Sequence, residues 1–407
     1  MLDTARRTAA PARLAGKLYV YSFFDEFILL YPFYAILFAD TGLSTAQISS
    51  LFVIWSLTSV ALEIPSGVLA DLVSRRLLIA GGPLLSAAGF ALWTWAPSYP
   101  AFAAGFVLWG AKGALESGAL EALVYEELDR HGAASRYATV RGRSRAVATV
   151  AIALAMAVAG PAFGAGGYQA VGVASVVACI LAAAVAATFP ERPDRTRATE
   201  HGGYRAFAAT LSVGISEVRR RRPVLLAVLF LTAVSAIWGS LDEYVGLLAA
   251  ETGVATENLP ALILVVYVGV AVGGLLGGVG RRLGRRGVAG LLALAAGALA
   301  AGALTGQAIG FALIGAAFCV FQLVEIAADA RLQHAITGPA RSTVTSVAGF
   351  SAEIATIGVF VIYGAASAGA GHGVQFAGWA AVYAVLAVVL AGPRLRRRRL
   401  IDPAARC

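Results

Sequence analysis

The stretch GVLADLVSRR, residues 67–76, places one aspartate and two arginines between long apolar runs. On both sides of it, runs of about 20 mostly apolar residues follow one another, which is the length a helix needs to cross a bilayer core. They lie roughly at 18–38, 48–70, 77–96, 100–125, 142–164 and 168–189, and then at 224–248, 259–279, 287–306, 308–330, 343–365 and 373–392. The sequence therefore predicts an all-α integral membrane protein with twelve transmembrane helices.

The composition agrees with lipid as the solvent. Of the 407 residues, 59% are hydrophobic and only 14% are charged, whereas a soluble domain is about a quarter charged. The first apolar run is long and aromatic and has no small-residue cleavage site after it, so we expect it to stay as a span and not to be removed as a signal peptide.

The net charge of +9 is distributed in one pattern. Basic clusters precede the first predicted helix and follow every second one, while the alternate loops contain no Lys or Arg; these loops lie near Gly42, Ser98, Gly166, Gly253, Gln307 and Gly371. This positive-inside pattern predicts that both termini are cytoplasmic. The pattern accounts for the positive net charge, so we expect no nucleic acid as a partner.

A repeat divides the chain into two pseudo-symmetric six-helix bundles. TGLSTAQI, starting at Thr41, returns as TGVATENL, starting at Thr252, and EALVYEELDRH at Glu121 is echoed by EIAADARLQH at Glu325. We predict an N-terminal bundle over 1–190, a cytoplasmic linker over 191–222, a C-terminal bundle over 223–393 and a basic cytoplasmic tail over 394–407. The linker contains an apolar stripe at helical spacing, typical of an amphipathic helix on the membrane surface: Tyr204, Phe207, Leu211, Ile215 and Val218.

The stretch at 67–76 resembles the signature G-x-L-A-D-r-x-G-r-[RK] of the loop between helices two and three in the major facilitator superfamily. Gly67, Asp71, Arg75 and Arg76 match it, while Leu72 and Ser74 depart from it. The resemblance implies the major facilitator fold, secondary transport, and a conformational clasp at these four residues that favours the outward-facing state. The alternative is a loop whose arginines only set the topology.

A second motif favours one branch of that superfamily. Gly160, Pro161 and Gly164 resemble the antiporter motif of its exporters, with Ala165 in place of the last glycine. The resemblance is therefore closest to the twelve-helix drug/proton antiporter branch. Gly-Pro also bends transmembrane helices in general, which is the alternative reading.

Acidic residues within the predicted helices are candidates for proton coupling, because a charge at a helix centre costs about 2.5–3.5 kcal/mol. In the superfamily, helices one, four, seven and ten line the central cavity, and here all four carry acids. The proton-coupling candidates are Asp25, Glu26, Glu63 and Glu116. The cavity or substrate candidates are Phe24, Tyr31, Lys112, Asp242, Glu243 and Glu325.

Two expectations concern geometry. Adjacent residues point about 100° apart on a helix, so we expect one of Asp25 and Glu26 to face the cavity and the other a neighbouring helix. Repulsion between buried carboxyl groups favours the retention of a proton by one of them. Lys112 and Glu116 are spaced i, i+4 and can neutralise one another. A structural pair of the acids with Ser, Tyr or Lys112 is the alternative to coupling.

The sequence indicates a secondary active transporter that works by alternating access, with proton-coupled export of a small hydrophobic drug or natural product as its activity. The aromatic first helix beside its acids fits a lipophilic, cationic compound; interfacial packing is the alternative. A proton-coupled importer or facilitator of a polar metabolite is the alternative function, and a non-transporting membrane sensor a remote one. No H-E-x-x-H or G-x-S-x-G motif indicates an enzyme.

The expected partners are the small-molecule substrate, protons and the bilayer. We expect no cofactor and no metal, with the proton gradient as the energy source, and a functional monomer. The expected location is the plasma membrane of a bacterium.

Overall fold

The structure is a computed structural model, and it describes residues 2–116, 118–190, 203–280, 282–336 and 341–392, without the side chains of 2–10, 64–72, 203–211 and 342. The helices of the first half are α1 Leu2–Glu26, α2 Tyr34–Asp40, α3 Thr45–Leu72, α4 Arg75–Trp95, α5 Tyr99–Glu116, α6 Ala119–Arg130 and α7 Tyr137–Ala186. Those that follow are α8 Gly203–Arg220, α9 Arg222–Asp242, α10 Val245–Ala250, α11 Leu259–Leu275, α12 Gly277–Gly280, α13 Arg285–Leu304, α14 Gly310–Ala335, α15 Arg341–Ala366 and α16 His372–Ala391.

Nine helices in the described part of the chain are long and apolar enough to cross a membrane. One of them, α7, makes two crossings, because Gly166 and Gly167 are non-helical and the φ of Gly167 is 59°. Two further crossings are absent from the nine because they are interrupted: α1–α2 by residues 27–33, and α5–α6 at Gly118, whose φ is 75°. The predicted twelve-helix membrane fold is confirmed.

The crossings pack in two groups. In the first group, α1 and α4 pack against α7, and α5 packs against α3 and α4. In the second group, α9, α11 and α13 pack against α14, α9 also packs against α15, and α13 packs against α16. Between the groups, α3 packs on α15, α7 on α11 and α2 on α10. The domain bounds that the sequence repeat predicts stay a prediction.

The molecule has two opposite ends, a terminal face and a distal face. The start of α1 and the end of α16 lie at the terminal face, since the number of crossings is even. The loops that join α2 to α3, α4 to α5, the two limbs of α7, α10 to α11, α13 to α14 and α15 to α16 lie at the distal face. Lys17 Nζ donates to the Thr188 carbonyl over 2.5 Å at the terminal face, joining α1 to the end of α7.

Small residues bring neighbouring helices into backbone contact. A Cβ atom added at Gly269 or Gly273 of α11 would overlap the carbonyl oxygen of Gly315 or Cys319 on α14. Helix association in lipid depends on such close packing, because burial from water contributes nothing there. The heavy use of glycine in the apolar runs therefore has a packing function at this pair.

The predicted linker helix is present as α8. Its Val218 is buried and packs with Val224, Val344 and Val347, so the end of α8 lies on α9 and α15. Ile215 is 39% exposed. Residues 191–202, the side chains of Tyr204, Phe207 and Leu211, and the predicted tail 394–407 lie outside the described residues.

Candidate substrate cavity between the two halves

A cavity of about 450 Å³ lies between the two groups of helices. Its walls come from α1, α2, α3, α5 and α7 on one side and from α9, α10 and α11 on the other. Five carboxyl groups and one ammonium group border it: Asp25, Glu26, Glu116, Asp242, Glu243 and Lys112. With Tyr31, which borders the same cavity, seven of the candidates predicted from the sequence are thus brought together.

Each of the three helix interruptions beside this cavity carries an acid. α1 ends at Glu26 before the non-helical residues 27–33, α5 ends at Glu116 just before Gly118, and α9 ends at Asp242 with Glu243 as its C-cap. An interrupted helix leaves backbone polar groups unpaired, which is tolerated within a membrane only beside other protein or a water-filled cavity. The interruptions and the acids therefore mark the same site.

Lys112 joins the first and fourth crossings. Its Nζ donates to Asp25 Oδ1 over 2.5 Å and lies 3.9 Å from Glu116 Oε2. The Lys112 residue is 8% exposed, so its charge requires a partner. The i, i+4 spacing predicts that Lys112 and Glu116 neutralise one another, whereas the shorter distance makes Asp25 the main partner of Lys112.

The acids of the first crossing differ from the geometric expectation. Both Asp25 and Glu26 border the cavity, although they are adjacent residues of the last turn of α1. Asp25 faces the neighbouring helix as well, through Lys112.

Glu116 is held by the packing of α5 against α4. Its Oε1 is buried and has no hydrogen-bond partner among the described residues. A Cβ atom at Gly82 would overlap this oxygen, so a glycine on α4 makes room for the carboxyl group. A buried carboxyl oxygen without a donor is costly when it is charged.

The acids of the seventh crossing are held by tyrosines. Tyr267 of α11 donates to Asp242 Oδ2 over 3.0 Å, and the hydroxyl of Tyr34 on α2 donates to Glu243. The second bond connects the two halves of the molecule. Asp242 Oδ1 is buried and has no hydrogen-bond partner within the described part of the chain.

Three stacked rings form one wall. Tyr31 stacks on Trp109 with 5.4 Å between ring centroids, and Trp109 stacks on Trp55 at 4.9 Å. Trp55, Trp109, Tyr34 and Tyr267 were not predicted as cavity residues. The two tryptophans stand in apolar runs like any core residue, and only the fold brings them to the cavity.

The halves meet on the distal side of the cavity. Ser49 Oγ and Tyr244 Oη are 2.7 Å apart, and a Cβ atom at Gly364 of α15 would lie 2.8 Å from the Ser49 Cβ on α3. Gly160 of α7 approaches so closely that a Cβ there would overlap the carbonyl oxygen of Glu257 in the other half. Together with the Tyr34–Glu243 bond, these contacts close the molecule toward the distal face.

The antiporter-like residues have different surroundings. Gly160 makes the contact just described, Pro161 lies within the helix without breaking it, and Gly164 has open space around it. The break of α7 falls later, at Gly166 and Gly167.

The predicted clasp lies partly outside the described residues, since nothing of the Asp71 side chain or of the surroundings of Gly67 is described. Arg75 Nη1 donates to Glu126 Oε2 over 2.6 Å and so ties α4 to α6. Arg76 is half-buried. The role of these residues as a conformational clasp stays a prediction.

Three other candidates do not border the cavity. Phe24 packs edge-to-face on Phe23 at 5.5 Å, Glu63 is exposed on α3, and Glu325 accepts from Trp238 Nε1 over 2.9 Å. Within the described residues, no group of three or more His, Cys, Asp or Glu side chains is placed to hold a metal ion.

Solved transporters have this fold. The structure of the nucleoside transporter NupG superposes with a TM-score of 0.70 at 14% identity, covering 93% of this chain and 97% of that one. An auto-inhibited POT family peptide transporter gives 0.66 at 15% identity, covering 97% and 99%. A bacterial homolog of the human lysosomal transporter Spinster, in an inward-facing and unoccupied conformation, gives 0.63 at 17% identity, covering 95% and 94%.

These identities establish a common fold and no common substrate. No curated protein sequence matches the chain. The sequence model of the Major Facilitator Superfamily matches residues 18–359, which include the cavity and both sequence repeats. A match over most of the length, on a fold of twelve crossings around a central cavity, places this multi-pass membrane protein in the Major Facilitator Superfamily of secondary transporters.

Proposed function

We propose that the protein is a proton-coupled exporter of small hydrophobic compounds that carry a positive charge, such as drugs or natural products. It works by alternating access, with the bundles 1–190 and 223–393 rocking about the central cavity. The observation that carries the proposal is the excess of carboxyl groups over ammonium groups around one cavity of about 450 Å³.

The charge of the cavity supports proton coupling. Five carboxyl groups face one ammonium group, so four negative charges stay uncompensated when all are ionised. Like charges close together in a medium of low dielectric constant cannot all persist. The cavity therefore binds protons, cations or both, and the two compete for the same carboxylates.

The aromatic wall supports the substrate class. Tyr31, Trp55 and Trp109 present stacked rings beside the carboxylates. An organic cation gains both from the ring faces and from the negative charge. The cavity volume is in the range that takes small-molecule ligands.

The proposed direction of transport is supported by the contacts that close the distal side and by the charges of the loops. The positive-inside pattern supports a cytoplasmic terminal face, and we propose the plasma membrane as the site of action. Gly160 of the antiporter-like motif lies at the contact that closes the distal side. In this arrangement substrate enters from the cytoplasm, and inward proton movement drives its export.

A proton-coupled importer or facilitator of a polar metabolite is the second candidate. It is favoured by the Lys112–Asp25 pair, which offers both charges to a zwitterion, and by the nucleoside and peptide transporters that share the fold.

Efflux of a preloaded lipophilic cationic dye tests the proposal in cells that express the protein, with and without a protonophore. We expect protonophore-sensitive efflux that is lost in Glu116→Gln, Glu26→Gln and Glu243→Gln. Glu121→Gln is the matched control, because Glu121 is an acid that pairs with Arg141 over 3.0 Å outside the cavity.

Three results would contradict the proposal. Efflux that ignores the protonophore would remove proton coupling, and equal efflux by the cavity variants and Glu121→Gln would remove the cavity acids as its basis. Energised uptake of a zwitterionic metabolite, with no efflux of any dye, would favour the second candidate.

A further inference from the structure

A second cavity, of about 390 Å³, lies at the terminal face within the second half. It is formed where α9 and α13 begin and where α14 and α16 end, and it shares no residue with the central cavity. Its apolar wall includes Leu226, Phe230, Leu283 and Leu390, and its polar groups are Arg285 and Arg331. Leu226 is 55% exposed, so the cavity opens sideways toward the lipid.

Backbone carbonyl groups, and not carboxylates, hold the side chains of these two arginines. Arg331 Nη2 donates to the Leu283 carbonyl over 2.6 Å, and Arg285 Nη2 donates to the Val389 carbonyl over 2.8 Å. A guanidinium has five N–H donors, so most of each group remains available. In the described part of the chain neither arginine forms an ion pair with a carboxylate, and no acid lines the cavity.

Arginines are frequent in the segments next to this cavity, and one of them, Arg221, is paired with Glu217. Arg219–Arg222 lie at the end of α8 and the start of α9, Arg282 precedes α13, and Arg286 is the second residue of α13. The sequence that continues after α16 contains five arginines within residues 394–399. Clusters of basic residues at a helix end recruit anionic headgroups, and guanidinium groups bind phosphate through paired hydrogen bonds.

We infer that this cavity binds an anionic phospholipid. Its phosphodiester lies between Arg285 and Arg331, and an acyl chain lies along Leu226 and Phe230. The apolar wall and its lateral opening distinguish a lipid from free phosphate, which would need the arginines alone. The bound lipid joins α13 to α14 and packs on α9, the helix that ends at Asp242 in the central cavity.

Native mass spectrometry of the purified full-length protein in detergent tests this site with added phosphatidylglycerol. We expect binding that phosphatidylcholine does not match and that falls about tenfold in Arg285→Gln/Arg331→Lys, because paired charge-assisted bonds to the phosphate are lost. The Arg331→Lys change keeps a positive charge beside Leu283. Should the double variant not fold, Arg285→Gln alone is also expected to lower the binding of phosphatidylglycerol. Arg143→Gln, an exposed arginine of α7 in the other half, is the matched control.

Any of three outcomes would overturn the inference. One is equal affinity of the Arg285→Gln variant and the Arg143→Gln control for phosphatidylglycerol. The second is equal binding of phosphatidylcholine, which would make the site a detergent-like apolar groove. The third is full competition by glycerol phosphate, which would make it a site for soluble phosphate esters.

Discussion

Lys112 links two crossings of the first half. It reaches from α5 to Asp25 at the broken end of α1, and it is almost fully buried. Charges in such surroundings persist only in pairs, and removal of one partner leaves the other uncompensated. The pair therefore has a structural function in addition to any part in transport.

Asp25→Asn is expected to destabilise the protein by about 3–5 kcal/mol, because Lys112 keeps only the more distant Glu116. The double variant Asp25→Asn/Lys112→Met removes both charges and is expected to recover most of that stability. Thermal unfolding of the purified proteins in detergent measures both effects. A double variant as unstable as Asp25→Asn would show that Lys112 is not the cause.

At this scale the sequence predicts the acids and Tyr31 and misses the other two stacked rings. Asp25, Glu26, Glu116, Asp242 and Glu243 are conspicuous because a charge in an apolar run is costly. Trp55 and Trp109 carry no such signal, because an aromatic residue in a membrane helix is ordinary. Their approach to Tyr31 depends on how three helices pack, which no local pattern records.

One further signal was available in the sequence. The Asp-Glu pair at 25–26 recurs at 242–243, in the same order before the Thr-Gly pairs at 41–42 and 252–253. Comparison of the two halves at this point would have aligned the two sites at which the helices break.

At the scale of single elements, α11 and α14 illustrate how glycine controls helix packing. Neighbouring glycines of α11 differ completely in their surroundings: Gly273 contacts the Cys319 carbonyl, whereas Gly274 has open space. Substitutions at the two positions therefore distinguish the effect of helix packing on stability from the effect of helix propensity.

Gly273→Ala is expected to lower the free energy of unfolding by about 1–3 kcal/mol, because the added methyl group forces the two helices apart. Gly274→Ala is expected to leave it unchanged or raise it slightly, since alanine favours the helix. Thermal unfolding of the purified proteins compares them. Equal loss of stability in both variants would contradict the packing at this interface.

Helix interruptions were the elements that hydropathy failed to predict. The predicted spans 18–38, 100–125 and 224–248 are continuous, whereas the structure breaks them at 27–33, near Gly118 and at 243–244. A hydropathy window averages over about 19 residues and cannot record a break of one turn. Pro32 and Gly118 stand in two of the breaks, so the sequence contained a local signal.

At the scale of the whole molecule, the distal closure joins the two halves through backbone contact. Gly160 of α7 lies against the Glu257 carbonyl, and Ser49 bonds to Tyr244. Gly164, the other glycine of the same motif, touches nothing beyond its own helix. The motif thus contains one glycine at the contact between the two halves and one with open space around it.

Gly160→Ala is expected to favour opening of the distal side, because its methyl group would overlap the carbonyl oxygen of Glu257. A backbone oxygen cannot move away by a change of side-chain rotamer. A cysteine at cavity residue Met156, in a background with Cys179, Cys319 and Cys407 replaced by serine, reports this opening. We expect an impermeant thiol reagent outside the cell to label it about tenfold faster than in the parent protein. The same rate in Gly160→Ala and the control Gly164→Ala would refute this role.

The charge count of the central cavity has an energetic consequence for the proposed exchange. A singly charged substrate that replaces one proton leaves the cavity with the same charge on its inward and outward passages, so the cycle is electroneutral. The membrane potential, worth about 2.3 kcal/mol per charge per 100 mV, then neither drives nor opposes export, and only the pH gradient does work. A second proton per cycle would carry one net charge inward and add the potential as a driving force. In the proposed exchange, Lys112 neutralises Asp25 and so lowers by one the number of carboxylates that protons and substrate would share.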